Sequence, residues 1–557
     1  MNTRIGGSSR PRALHTLVFV AGLFACSPAP GSESSPAADA GPPDAPSSGP
    51  WRSALYPEDW TPSFSSGEGL FLPDFSYAGY HNGEAEPGSL AMGAALDVVA
   101  QYGADPTGSG DSTAAIQGAI GAAESAGGGV VQIPEGLYRL DGVLTVSASS
   151  IVLRGAGPDK TRLFFTKDTG LDFAAHIQIH GAPESDLEIP LSSSAESRSF
   201  QIEVADAQDL GPGDDIEVGW VITPEFIEEH GMTGTWEAFN DTWQPFFYRS
   251  VKSIDRTSTP HRVTIDVPLR YPVKTRDKAS LRRMTGYLRE VGVEGLAVSN
   301  ATTFDAAWAQ SQVHAIDLIG VDNAWVREVH SFSSPLAPMT GDGAGAHLQS
   351  SGILIKSSKR VTVESSKLGY AMNRGGGGNG YLFEMRQSGE LLFRDCEATA
   401  GRHNFIQNWG FGMTGSVWLR VRSAEGKSLI EKGSNVGGTG YSEFHHSLAT
   451  ANLIDASVFD DGVSIVNRNN ESTGAGHTGT QNVFWNTKGS GVLRSLQFGA
   501  GYVIGTEGLE VITASDTPLI GLGTSPDDFT EGLGSATSLT PPSLYEDQLK
   551  KRLSPAP

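Results

Sequence analysis

Apolar residues along this chain fall in short runs separated by turns rich in Gly, Asn, Asp and Ser, a pattern of many short strands rather than of long amphipathic helices. From about residue 293 onward the runs recur: "VEGLAVSN", "AIDLIGVDNAWVREVHS", "GILIKSSKRVTVESS", "YLFEMRQSGELLFRDCEAT", "GSVWLRVRSAEG", "LIDASVFDDGVSIVN" and "GTQNVFWNTKGSG". Their spacing, roughly 20 to 30 residues, is the repeat scale of a solenoid. Each run predicts a strand in one of three stacked parallel sheets, with the next coil about 4.8 Å along the axis. Inward positions would carry Val, Ile, Leu and small residues. Outward positions of consecutive coils would line a long groove, where residues far apart in sequence meet.

Residues 97–140, "DVVAQYGADPTGSGDSTAAIQGAIGAAESAGGGVVQIPEGLYRL", add a different signal. A strand leads into a Gly/Asp loop, Ser112 or Thr113 can cap a helix over 114–125, and Gly127 to Gly129 end it before the strand "VVQIP". With "IVLRGAGPDKTRLFF" at 151–165, this stretch resembles the N-terminal segment of pectate-lyase-superfamily proteins, a pectin-lyase-like and rhamnogalacturonase-like opening. The resemblance implies an all-β chain folded as a right-handed parallel β-helix, its hydrophobic end capped by the helix. It leaves the chemistry open, because the same segment opens lyases, hydrolases and phage tailspikes. Asp105 and Asp111 have the spacing of metal ligands, but turn and cap roles are expected of them.

Residues 200–275 break the repeat and read as antiparallel strands, a small β insertion on the coil. Inside it Trp220, Trp236, Trp243, Phe246, Phe247 and Tyr248 are concentrated. Aromatic faces stack on sugar rings, or they form the insertion's own core; Trp236, in a polar loop, is the expected sugar-stacking residue. The ending "PPSLYEDQLKKRL" predicts a helix whose Leu544, Leu549 and Leu553 cover the last coil. The pattern divides the chain into an export signal (1–26), a linker (27–50), an N-terminal extension (51–94), the start of the β-helix (95–199), the insertion (200–275), the β-helix body (276–535) and a C-terminal cap and tail (536–557).

Arg4, Arg10 and Arg12 precede the apolar run "LHTLVFVAGLFA" and Cys26, the layout of an export signal. "LFAC" resembles a bacterial lipobox, which implies lipidation of Cys26; ordinary signal cleavage nearby is the alternative. Residues 27–50, nearly all Ser, Pro, Ala, Gly and Asp, read as a disordered tether. Cys396, in "LLFRDCEAT", is expected to be a buried small hydrophobe rather than a nucleophile. The formal net charge of −23 argues against nucleic acid as a partner. Residues 351–450, with 12 Lys plus Arg against 8 Asp plus Glu, are locally positive, so an anionic glycan is expected there. No heptads drive assembly, and a monomer is expected.

The side chains suited to acid–base chemistry concentrate between 370 and 486. They are Arg374, Glu384, Arg386, Arg402, His403, Glu443, His445, His446, Arg468 and His477, with Trp409 and Trp485 as sugar platforms. For β-elimination, Arg402 or Arg468 would neutralise a uronate carboxylate, and His403, His446 or His477 would remove the C5 proton. For hydrolysis two carboxylates must flank the glycosidic bond. Here "DD" at 460–461 and "GAGHT" at 474–478 resemble the signature of polygalacturonase-type hydrolases, which implies Asp460 and Asp461 as the acid pair supported by His477. Neither "NTD" before the pair nor "RIK" after it is present, and Asp455 is an alternative partner. Asp455, Asn467 and Asn469 also suit turn positions.

The sequence has no HExxH, paired-Cys or EF-hand spacing, so no metal ligands are assigned. Pectate lyases resembling this fold bridge an acidic corner to a uronate with calcium, and the resemblance leaves a calcium ion possible. The expected function is an exported polysaccharide lyase acting on an acidic glycan, with a glycoside hydrolase and a non-catalytic glycan-binding protein as alternatives.

Overall fold

The computed structural model describes residues 49–88, 93–207, 209–434, 436–514 and 527–554. Its body is a coil of parallel strands on three faces, a right-handed parallel β-helix. Face one takes in strands such as Ile151–Arg154, Lys359–Glu364, Leu392–Arg394, Val417–Leu419, Leu453–Asp455, Val483–Lys488 and Tyr502–Glu507. Face two holds Thr161–Phe165, Lys367–Gly369, Glu397–Thr399, Arg422–Ala424 and Val458–Phe459. Face three is a ten-stranded parallel sheet running from Leu144–Val146 to Glu510–Ile512. Inward residues of all three, among them Ile316, Ile353, Phe383, Phe405, Phe393 and Trp418, form one continuous core.

The corner between faces one and two is made by a single residue in the left-handed region on coil after coil. Gly295, Glu328, Ser365, Asp395, Arg420, Ala456 and Asn486 occupy it, with φ between 48° and 63°. For a residue other than glycine this costs about 1–2 kcal/mol. The offset is a backbone hydrogen bond to the next coil: Ser365 N donates to Arg394 O, Asp395 N to Leu419 O, Arg420 N to Asp455 O and Ala456 N to Trp485 O, at 2.9–3.0 Å. Inside another corner, Ser388 Oγ accepts from Ser358 N, Ser416 Oγ from Leu391 N, Asn452 Oδ1 from Ser416 N and Asn482 Oδ1 from Asn452 N. Cys396 is buried, and burial pushes its thiol up to about 12.

The helix α1 (Thr113–Ser125) closes the N-terminal end, burying Ile116, Ala119, Ile120 and Ala123 in the coil core. Asp105 accepts from the backbone N–H groups of Thr107 and Gly110, and Asp111 from that of Thr113, so both serve the turn and the cap. The insertion is a six-stranded antiparallel sheet that also draws in Glu184–Pro190 and Ser280–Thr285, on either side of 200–275. The C-terminal helix α2 (Leu544–Leu553) does not cover the last coil. It lies along the outer side of face one, with Leu544 and Tyr545 packed beside Leu55, Tyr56, Phe75 and Trp485, while Leu553 stays half-exposed. An outer wall of apolar residues, Val417, Leu419, Leu453, Val483 and Ile504, had to be covered by something, and the N-terminal extension with α2 does so. Among the described residues no helix is long and apolar enough to cross a membrane.

Two buried carboxylates pin these attachments. Glu390 accepts from Arg249 Nη1 (3.1 Å) and Arg270 Nη2 (2.9 Å), all three side chains being almost fully buried where the insertion meets the coil. Replacing Glu390 by Gln leaves two buried guanidinium groups short of a counter-charge and should cost about 3–5 kcal/mol in denaturant unfolding.

Asp455 Oδ2 accepts from Ser543 Oγ (2.7 Å) and Tyr545 N (2.9 Å), holding the start of α2, while its Oδ1 has no partner. Burial lifts its pKa from 3.8 to about 7. A carboxyl raised in the folded state stabilises fully below its unfolded pKa, and that stabilisation is lost as pH rises through the folded value. The melting temperature of the protein should therefore fall relative to that of an Asp455→Asn variant as pH rises from about 4 to 7. Parallel pH profiles for the two proteins would reverse the assignment.

Candidate functional site

Because the strands of face three stay in register, one outward row runs Asp317, Leu354, Glu384, Ile406, Glu443, Ser464, Arg494 on successive coils. Acids occur on every second coil of this row as far as Glu443, about 9.6 Å apart for a 4.8 Å coil step. Each acid holds at least one histidine: Asp317 binds His180 Nε2 (2.7 Å), Glu384 binds His314 Nε2 (2.8 Å), and Glu443 binds His445 Nδ1, with His403 Nε2 at 3.5 Å. Leu354 and Ile406 separate carboxylates that would otherwise repel across adjacent strands.

Over the Glu384–Glu443 part of the row opens a cleft of about 340 Å³. Tyr381, Arg386, Arg402, Trp409, His445 and His446 line it, with Gln312, Asn408, Ser472 and Thr473 at its edge. Arg402 donates from Nε to Ser428 Oγ and from Nη1 to Gly375 O, both at 3.1 Å, and forms no ion pair among the described residues. Its guanidinium lies 5.9 Å from the centre of the Tyr381 ring. Arg386, by contrast, is committed to Glu384 (2.5 Å) and Gln312 (2.7 Å). The Tyr381 hydroxyl has no protein partner among the described residues, and burial raises its pKa to about 12, Arg402 opposing.

His446 donates from Nε2 to Ser472 O (2.7 Å), which leaves Nδ1 as a lone-pair nitrogen without a partner. Trp409, 41% exposed, meets the His446 ring edge-on at 4.7 Å. Burial lowers His446 and His403 to about 4 and His445 to about 3, so all three rings are neutral at neutral pH. Burial also works against the charge of Glu443, but the hydrogen bond from His445 Nδ1 and the charge of Arg468 outweigh it and hold the carboxyl well below the ordinary range. Glu384 is likewise held at about 2, burial being outweighed by Arg386 and His314.

Of the residues singled out by sequence, the cleft brings together Arg386, Arg402, Trp409, His445 and His446, with His403 just behind. Arg468 backs the pair, donating from Nη1 to His445 O (3.3 Å). Arg374 faces a neighbouring cleft of about 400 Å³ with Phe304, Tyr370, Met372 and Leu429. His477 lies elsewhere, buried 5.1 Å from Phe498 against the insertion. Asp460 bonds Arg422 and Ser490, and Asp461 turns inward to Ser423, Asn404 and Gly426 N, so the two carboxylates share no open space. Asp455 is under α2. Trp236 and Trp485 are fully buried, their indole N–H groups donating to Ala475 O and Pro541 O; neither meets a sugar. Cys26 lies outside the described residues.

Sequence reasoning misses Tyr381, because it opens the apolar run "YLFEMRQ" and reads there as a core residue. A calcium ion needs six to eight oxygen ligands. The cleft lining offers no carboxylate, and the neighbours of Glu384 and Glu443 behind it are imidazole nitrogens, Arg386 and the Asn408 amide nitrogen rather than further oxygens, so calcium does not fit here.

Residues 97–182 match the family model described as rhamnogalacturonase A/epimerase, pectate lyase-like. Over this segment the chain resembles pectate lyase-like proteins. The chain is also 46% identical over 70 residues to mannuronan C5-epimerase AlgE3 of Azotobacter vinelandii, a match taking in 11% of this chain and 4% of that protein. Among solved structures, the tailspike gp49 of Pseudomonas phage LKA1 overlaps it at a TM-score of 0.41 with 13% identity, covering 80% of this chain and 84% of that one. The A-module of the Azotobacter vinelandii mannuronan C-5 epimerase AlgE6 overlaps at 0.31 with 13% identity, covering 79% and 99%. At these scores the chemistry has to be argued from the chain's own residues.

The two tryptophans separate structure from binding. Trp236→Ala should cost about 3–5 kcal/mol in denaturant unfolding. Trp409→Ala should leave stability within about 0.5 kcal/mol and weaken retardation in gels containing an acidic glycan.

Proposed function

We propose that this carbohydrate-active β-helix protein is a polysaccharide lyase acting on a uronate-containing glycan in the face-three cleft. The observation that carries the reading is one juxtaposition: an arginine without an acidic partner (Arg402), a neutral imidazole whose buried Nδ1 lone pair has no partner (His446) and a tyrosine hydroxyl without a protein partner (Tyr381) belong to the walls of the same cleft. Arg402 pairs with the uronate carboxylate and lets charge develop on it as the C5 proton leaves. His446 Nδ1 accepts that proton. Tyr381, kept protonated by burial, donates to the leaving glycosidic oxygen at C4, and the C4–C5 double bond forms as the C4–O bond breaks. Trp409 offers its exposed face to a neighbouring sugar ring. The paired-aspartate hydrolase reading finds no support in the separate environments of Asp460 and Asp461.

A second reading, C5 epimerisation, shares the first step and differs only in returning a proton to C5. It is favoured by the local identity to a mannuronan C5-epimerase. Export, guided by the Arg-then-apolar N-terminus, and lipidation at Cys26 belong to the same proposal, as does a monomeric state.

The protein should release products that absorb as unsaturated uronates, together with new reducing ends, from at least one polymer in a panel of uronate glycans. Tyr381→Phe and His446→Ala should each lower kcat about 10²–10⁴-fold, and Asp460→Asn should leave it unchanged. Deuterium uptake at C5 without new ends would shift the assignment to epimerisation. Reducing ends without absorbance would return it to hydrolysis, and binding without any product would leave a glycan-binding protein.

A further inference from the structure

Behind the cleft, His403, Glu443 and His445 come from two adjacent coils of face three, the strands His403–Gln407 and Ser442–Phe444 and the residue just after the second. Their donor atoms all lie within 4.8 Å of one another, and all three side chains are at least nine-tenths buried. His403 Nδ1 sits 2.6 Å from Tyr441 O. A carbonyl only accepts, so Nδ1 carries the proton and Nε2 carries the lone pair. That Nε2 is buried with no hydrogen-bond partner and faces Glu443 Oε1, a second acceptor, at 3.5 Å.

The separation decides between two ways of filling this gap. A proton shared between the two atoms would draw them to about 2.7–3.2 Å. Two ligands on one tetrahedral ion with bonds of about 2.0–2.2 Å stand roughly 3.4 Å apart, which matches the His403–Glu443 pair, whereas His445 Nδ1 is hydrogen-bonded to the same oxygen at closer range and has to draw back when an ion enters. The outer partners suit the same role. Metal-bound imidazoles donate their other N–H to a carbonyl, carboxylate or water, as His403 does to Tyr441 O, and His445 Nε2 has Ser472 Oγ at 3.2 Å.

We propose that His403 Nε2, His445 Nδ1 and Glu443 Oε1 form a site for a divalent transition-metal ion of the zinc class. Two imidazole nitrogens and one carboxylate oxygen select such an ion over calcium or magnesium, which take oxygen ligands. On binding, the His445 proton moves from Nδ1, where it now bonds Glu443, to Nε2, where Ser472 Oγ accepts it. The ring stays neutral and no net proton is released. Three protein ligands leave a coordination position for water or a substrate oxygen, and His445 lines the cleft from which it is reached. The site stands independently of the lyase reading, since its occupancy is measured without turnover.

The test is titration of the tag-free, chelator-stripped protein with cobalt(II), read by visible absorption and calorimetry, with calcium as a competitor. One equivalent should bind with the strong visible bands of a four-coordinate cobalt ion and resist a thousandfold excess of calcium. His403→Ala and Glu443→Gln should weaken binding by more than the roughly 10–100-fold that loss of an outer partner costs. Ser472→Ala, a change outside the packed strands, should weaken it about tenfold without altering far-ultraviolet dichroism. Absence of stoichiometric binding would overturn the site. So would binding unchanged by His403→Ala and Ser472→Ala, or displacement by equimolar calcium; the trio would then be a hydrogen-bonded support for His445 and nothing more.

Discussion

Everything in this molecule depends on the register between successive parallel strands. Each backbone N–H and C=O is spent on the coil above or below, so a slip of one residue would turn every inward side chain outward and leave a core of polar groups. With register fixed, residues separated by roughly 30 positions in sequence become vertical neighbours. The row from Asp317 to Arg494 is the result, and it puts acids beside histidines at a regular pitch along one face.

The coil alone does not make the cleft. Its upper edge is the segment bearing Ser472 and Thr473, and that segment is held from outside the coil: Trp236 of the insertion donates to Ala475 O, and the insertion's aromatic core extends to Phe411 and Leu448. The insertion is therefore tied to the site as a support rather than as a sugar platform. The cationic character of the region follows from the same arrangement. Acids behind the cleft are consumed by histidines and Arg386, which leaves Arg402 as the charge turned toward an incoming anion.

Much of the fold was legible because its signals are local. The helix capping the coil is announced by Ser112 and the glycines at 127–129, and the strand runs by their alternation of apolar and small residues. The corners were not legible. Glu328, Ser365, Asp395, Arg420 and Ala456 adopt a left-handed conformation that their side chains disfavour, and only the hydrogen bonds to the neighbouring coil hold them there. The site was half legible for a related reason. "SEFHHS" placed Glu443 and His445 two residues apart, on one side of a strand, yet their partner His403 is set by register and stands 40 positions earlier. Trp236 and Trp485 look solvent-facing because their sequence neighbours are polar, but other segments, unseen from either position, fold over them. Asp460 and Asp461 read as a pair because they are adjacent, and adjacency at a strand end sends one outward and one inward.

The repeated one-residue corner has an evolutionary consequence. Since each corner amide is bonded to the coil that follows and the bend needs no particular side chain, the seam between any two coils is chemically the same as the next. A gene rearrangement that removes or duplicates one complete turn would rejoin like to like, whereas loss of a single codon within a turn would invert a strand. Lengthening or shortening by whole turns is thus the cheap route by which such a chain could change the number of sugar units its face spans while its existing side chains keep their neighbours.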